Sequence, residues 1–133
     1  MSGPDVNSPK PGVFEFIREE SMAGMNAMDM KLSKIYPLLV AKAIRKGRSR
    51  QEVDRVIFWL TGWDMTQINL DMRYGDFLQN APAYNPAAES IKGIICGTRV
   101  EEIQDPVTRR MRQLDKLIDE LAKGKPLEKV LRY

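Results

Sequence analysis

The stretch "DPVTRRMRQLDKLIDELAKG", residues 105–124, decides the fold because it carries every signal of a long helix with one buried face. Asp105 can cap the start of the helix, and Pro106 suits the first position, where no backbone N–H is needed. Apolar side chains recur with the helical period at Val107, Met111, Leu114, Ile118 and Leu121. Gly124 ends the pattern. We therefore predict a helix that packs its apolar stripe against the rest of the chain.

Two helices of similar character precede this stretch. "SKIYPLLVAKAIRKG" predicts a helix with Pro37 in its first turn and Gly47 at its end. "SRQEVDRVIFWLTG" follows, and Ser49 with Glu52 makes a capping box at its start. Its apolar positions Val53, Val56, Ile57 and Leu60 define one buried face. A third, shorter helix is predicted from Asp64 or Thr66 through Met72.

The segment "IKGIICGTRV", residues 91–100, fits two structures. Its alternating β-branched residues suit a strand, but the spacing of its isoleucines also fits a helix face. The rest of the chain offers no convincing partner strand, and a lone strand would leave its backbone groups unpaired. We favour a helix, and a strand paired across a dimer is the alternative.

Together these elements predict an all-α protein, a single compact bundle of four to six helices. Residues 29–133 form the single helical domain. Residues 1–28 contain three prolines and three glycines, and we expect a flexible N-terminal extension there.

The composition excludes several classes of protein. The chain has 133 residues, one cysteine and no histidine, so it has no intrachain disulfide and lacks the commonest general base and zinc ligand. Its apolar runs are too short to span a bilayer. We therefore expect a cytoplasmic protein without a metal, a cofactor or a membrane partner.

Five strings in order along the chain resemble a known family. They are "YPLLVAKAIRKGRS", "EVDRVIFWLTGW", "NAPAYNP", "GIICGTRVEEIQDP" and "LDKLIDELAKGKPLEKVLR". The chain is similar through them to bacterial domain-of-unknown-function family 2200, over about residues 30–132. The resemblance implies a small intracellular protein. It supplies no catalytic or binding residues, because the family has no established activity.

A basic corner is the strongest surface feature that the sequence predicts. Six cations fall within one short stretch that has only two acids, around the joint between the first two helices. They are Lys42, Arg45, Lys46, Arg48, Arg50 and Arg55. Side chains of this type, beside the free N–H groups of a helix start, suit phosphate. We name them as a candidate site for nucleic acid or another polyanion; an ordinary solvated surface is the alternative interpretation.

Cys96 is the candidate for catalysis, because a thiol next to Arg99 could be an activated nucleophile. No histidine exists to activate it, and a cysteine also packs as a small apolar residue. Glu101, Glu102 and Asp105 follow as a carboxylate cluster that could do acid–base work or hold a cation, or could serve as a solvated face and a helix cap.

An aromatic group is the last candidate. Trp59, Trp63 and Tyr84, with Asn85 as a polar contact, could line a pocket or could fill the end of the core. Overall we expect a small non-catalytic binding or interaction protein. The alternatives are a small enzyme that uses Cys96, and an oligomeric structural module joined through residues 91–100.

Overall fold

The helix predicted from residues 105–124 lies at the centre of the computed structural model, which describes residues 27–132. Within that range the chain is mostly helical, which confirms the predicted all-α class. Its α-helices are α1 (Leu32–Arg45), α2 (Arg50–Thr61), α3 (Tyr74–Gln79), α4 (Pro106–Ala122) and α5 (Leu127–Val130). Short 3-10 helices span Ala27–Asp29, Pro86–Ser90 and Val100–Glu102. The extension predicted for residues 1–28 lies outside the described residues, apart from its last two positions.

Helix α4 begins as its sequence predicts, but it is buried on more than the one predicted face. The Asp105 carboxylate accepts a hydrogen bond from the backbone N–H of Thr108 at 2.9 Å, and Pro106 is the first helical residue. Because α4 contacts α1, α2, α3 and α5, it is buried over most of its circumference. Its buried apolar residues are Met111, Leu114, Leu117, Ile118, Leu121 and Ala122. Three polar side chains are buried on it as well, namely those of Gln113, Asp115 and Asp119.

Helix α2 has the predicted capping box and the predicted end. The Ser49 hydroxyl accepts from the backbone N–H of Glu52 at 3.2 Å, and the Ser49 N–H donates to the Glu52 carboxylate at 3.0 Å. The helix ends at Gly62, whose φ of 83° is left-handed. The predicted face of Val53, Val56, Ile57 and Leu60 is buried. In α1, by contrast, the helix begins at Leu32, so Pro37 lies in its second turn and not in its first.

The helix predicted to begin at Asp64 or Thr66 is wrong, because that segment forms turns and α3 begins only at Tyr74. The Asp64 side chain accepts from the N–H of Thr66, and the Asn69 side chain accepts from the N–H of Asp71, each at 2.9 Å. Side chains that bond the backbone two residues on compete with helical hydrogen bonding.

Residues 91–100 form a β-hairpin, so the helix favoured from the sequence is wrong. Strand β1 (Ile94–Ile95) pairs antiparallel with β2 (Thr98–Arg99), with Ile94 opposite Arg99. The two turn residues, Cys96 and Gly97, have φ of 52° and 77°, and a tight two-residue hairpin turn needs positive φ at both positions. Each strand finds its partner within the same segment, and no dimer is needed to pair it.

Candidate anion-binding site

Two of the six cations of the basic corner are held by carboxylates. Lys42 Nζ lies 3.1 Å from an Asp119 carboxylate oxygen. Arg48 binds Glu52 through two hydrogen bonds of 3.2 and 2.7 Å, and it also donates to the Lys125 carbonyl at 3.1 Å. The hydrogen bond from Arg48 lowers the pKa of Glu52. Lys42 and Arg48 therefore make contacts within the domain, and few of their N–H groups are available to a ligand.

Arg45 and Arg50 stand on the edge of a groove of about 590 Å³. Both side chains are exposed, and within residues 27–132 neither guanidinium forms an ion pair with a carboxylate. Lys46 is exposed beside Arg45. We name Arg45, Lys46 and Arg50 the arginine edge.

The rest of the groove is apolar. It is lined by Tyr36, Pro37, Val40, Ala41 and Ile44, and the Ile44 side chain is 56% exposed. The Tyr36 hydroxyl donates a hydrogen bond to the Asp54 carboxylate. Burial, and then this hydrogen bond, raise the pKa of Tyr36 above its usual range, so the phenol stays neutral. The groove therefore combines an apolar wall with cationic groups that can bind an anionic group.

Arg55 faces a different part of the surface. It lines a second cleft of about 320 Å³ together with Phe58, Trp59, Gly62, Ala83, Asn85 and Leu131. Of the four residues predicted to form an aromatic pocket, the structure brings Trp59 and Asn85 together here. The Asn85 amide donates to the Trp59 carbonyl at 3.1 Å and its oxygen accepts from the Ala87 N–H at 2.8 Å, so its polar groups shape the cleft from behind. We name Arg55, Phe58 and Trp59 the aromatic cleft.

The other two aromatic residues of the predicted pocket serve the core. The Trp63 indole N–H donates to the Phe77 carbonyl at 2.8 Å, and the two rings stack with centroids 6.1 Å apart. The Tyr84 hydroxyl donates to Gln113, and the Arg110 guanidinium lies 4.0 Å from the centre of the Tyr84 ring. Neither ring lines the aromatic cleft.

The two most exposed apolar side chains near these surfaces, those of Ile44 and Phe58, were not predicted from the sequence. Phe58 is 59% exposed, although its neighbour Ile57 is buried. The available signal was its position on α2, because Phe58 falls opposite the face of Val53, Val56 and Leu60. Phe58 lies beside Trp59 in the aromatic cleft and Ile44 beside Val40 in the groove, and exposed apolar side chains grouped in this way mark candidate contact surfaces.

The segment around Cys96 is organised by the hairpin. Arg99, the proposed activator of the thiol, lies 3.6 Å from Glu101 and 4.0 Å from Glu102. Glu101 also accepts from the Gly93 N–H at 3.0 Å, which lowers the pKa of the Glu101 carboxyl. Cys96 is half-buried and packs against the core. Arg99 is therefore engaged by carboxylates that neutralise its charge.

Two further properties bear on what the surface could do. Among residues 27–132, no three acidic or cysteine side chains lie close enough together to hold a metal ion. In the same part of the chain, every helix is too short or too polar to cross a bilayer.

The fold and this surface define a small, mostly helical domain with a cationic groove. The chain belongs to a family of uncharacterized proteins conserved in bacteria (DUF2200), whose model matches residues 26–132, as the resemblance predicted. It is also similar to a solved structure, that of uncharacterized protein SP1917, with 45% sequence identity and a TM-score of 0.74. That likeness covers 79% of this chain and 89% of the other. Among curated proteins, none matches the chain significantly.

Proposed function

We propose that this protein is a non-catalytic, cytoplasmic binding protein for nucleic acid or another polyanion, and that the arginine edge is the binding site. The observation that carries the proposal is the pair Arg45 and Arg50. They lie on one groove, both are exposed, and no carboxylate of residues 27–132 neutralises either of them.

Guanidinium groups suit phosphate because their fixed N–H groups can make two parallel hydrogen bonds to it. The capping box uses the backbone N–H groups of Ser49 and Glu52, which leaves fewer donors at the start of α2, so the proposed site rests mainly on the side chains. Contacts to phosphate position a nucleic acid but do not read its sequence. Binding should therefore be weak, indifferent to base sequence and sensitive to salt.

The test is fluorescence anisotropy of the full chain with labelled oligonucleotides at low salt. The double variant Arg45→Ala/Arg50→Ala should bind roughly tenfold more weakly than the wild type, because it loses two phosphate contacts. The matched control is Lys34→Ala/Lys92→Ala, which removes the same charge from exposed positions outside the groove. If the two double variants lose affinity equally, net charge and not a site explains the binding, and the proposal fails.

A further inference from the structure

We infer that the aromatic cleft stacks unpaired nucleobases, so that the ligand of this protein is single-stranded nucleic acid. This inference rests on the proposed function and names the class of polyanion. It comes from the cleft and not from the groove of the arginine edge.

Phe58 and Arg55 form a stacking platform on the solvent face of α2. They are three residues apart, which places them on one side of a helix. Phe58 is 59% exposed, and Arg55 is exposed without an ion pair to any carboxylate of residues 27–132. Aromatic rings and guanidinium planes both stack on the flat face of a base, and the positive charge also attracts the phosphate.

The cleft beside this platform is preformed. Trp59 is half-buried, and its carbonyl is fixed by the Asn85 amide. Gly62 has no side chain, and a Cβ there would lie 2.8 Å from that of Ala83, so the floor is closely packed. The volume of about 320 Å³ is at the small end of the range for ligand pockets, roughly 300–1,000 Å³. Such a cleft suits a small flat group with an apolar face.

The same helix carries both kinds of contact. Arg50 and Phe58 are eight residues apart in α2, which is about 12 Å along the helix axis. That distance corresponds to roughly three or four nucleotides at the spacing of a stacked strand. The Asp54 carboxylate lies on α2 between these two residues, where it accepts a hydrogen bond from the Tyr36 hydroxyl. The spacing of Arg50 and Phe58 lets a strand place phosphates at the arginine edge and a base on Phe58.

A duplex cannot use this platform, because the faces of its bases are covered by their neighbours. If only phosphate contacts mattered, a duplex would bind more tightly, since its charge density is higher. Preference for a single strand over a duplex of the same length is therefore the signature of the aromatic cleft.

The experiment compares two labelled single-stranded probes of about 12 nucleotides, a thymidine oligomer and an abasic oligomer with the same phosphates. The wild-type full chain should bind the thymidine oligomer more tightly than both the abasic oligomer and a duplex. Phe58→Ala should weaken binding of the thymidine oligomer roughly 5- to 100-fold and leave the abasic oligomer unchanged. Ile94→Ala is the control, because it removes an apolar side chain that is 57% exposed and lies outside both the cleft and the groove. Circular dichroism checks that each variant is folded.

The outcomes separate the two proposals. Absence of binding to every probe overturns the proposed function, and this inference with it. Equal binding of the thymidine and abasic oligomers, unaffected by Phe58→Ala, overturns only the stacking inference and leaves the arginine edge standing. Equal losses in Phe58→Ala and Ile94→Ala would also overturn it, because general apolar surface and not the cleft would then explain the effect.

Discussion

For a single cationic residue, the carboxylates that the fold brings near it decide whether it can bind a ligand. Arg48, just before the start of α2, is held by Glu52 in its first turn, and a pair only four residues apart in the chain is readable from the sequence. Lys42 is held by Asp119, 77 residues away, and nothing local to Lys42 predicts that contact. The sequence thus predicted where the basic corner lies, but only the fold determines which of its side chains are available.

Replacing Arg48 should therefore separate stability from binding. Arg48→Ala removes the ion pair with Glu52 and the hydrogen bond to the Lys125 carbonyl, and we expect a loss of about 1 kcal/mol in the free energy of unfolding. Affinity for an oligonucleotide should fall no more than in the Lys34→Ala/Lys92→Ala control. Urea unfolding and anisotropy measure the two quantities. A loss of affinity as large as that of the Arg45→Ala/Arg50→Ala variant would return Arg48 to the binding site.

The pKa of Asp115 shows how strongly burial in the interior can change the titration of one residue. It is 3% exposed, and Arg112 donates to its carboxylate at 2.8 Å. Burial raises the pKa of Asp115 to about 6, although the charges of Arg112 and Lys42 oppose this shift. This burial could not be predicted, because Asp115 lies off the apolar stripe that predicted α4.

This raised pKa predicts the pH dependence of stability. The folded protein binds the Asp115 proton more tightly than the unfolded chain does. Protonated Asp115 therefore favours folding at acid pH. This contribution to the free energy of unfolding is lost as the pH rises from about 4 to above 6. Asp115→Asn does not titrate and keeps an acceptor for Arg112. The unfolding free energy of the wild type relative to this variant should therefore fall across that range. Urea unfolding of both proteins at a series of pH values measures it, and parallel pH profiles would contradict the assignment.

Among the elements, those whose signals are local could be predicted. The capping box of α2 and the Asp105-Pro106 start of α4 both depend on residues within one helical turn, and both are present. The hairpin of residues 91–100 could not be assigned, because its turn depends on two positive φ angles at Cys96 and Gly97. The sequence Cys-Gly is not among the strong hairpin signals, which are Asn-Gly and Asp-Gly.

Substitutions of Gly62 and Gly97 test how much backbone strain and local packing contribute at two turns between elements. Gly97 has φ of 77° and open space around it, so Gly97→Ala should cost only the backbone strain of about 1–2 kcal/mol. Gly62 has a similar φ of 83°, but a Cβ there would also press on Ala83 at 2.8 Å. Gly62→Ala should therefore destabilise the protein more than Gly97→Ala. Thermal or urea unfolding of the two variants compares their stabilities directly. Equal losses of stability would mean that the loop at Ala83 moves to accommodate the added Cβ at no cost.

Over the whole molecule, α4 takes the central position and leaves the outer faces of α1 and α2 to solvent. The apolar period predicted the buried faces of α2 and α4, although Val107 in the α4 stripe is only partly buried and α4 is also buried outside that stripe. It also places Phe58 opposite the buried face of α2, but whether Phe58 and Ile44 stay uncovered depends on which elements pack across these helices. The candidate binding surfaces are therefore the part of the molecule that required the structure.

The measurement that tests the central claim most directly is the salt dependence of oligonucleotide binding by the full chain. We expect the logarithm of the binding constant to fall steeply with the logarithm of salt concentration in the wild type. In Arg45→Ala/Arg50→Ala the slope should be shallower by about 1.4, since each single-strand phosphate contact contributes about 0.7. The Lys34→Ala/Lys92→Ala control should keep the wild-type slope. No binding at low salt, or an unchanged slope in Arg45→Ala/Arg50→Ala, would contradict a phosphate-binding site at the arginine edge.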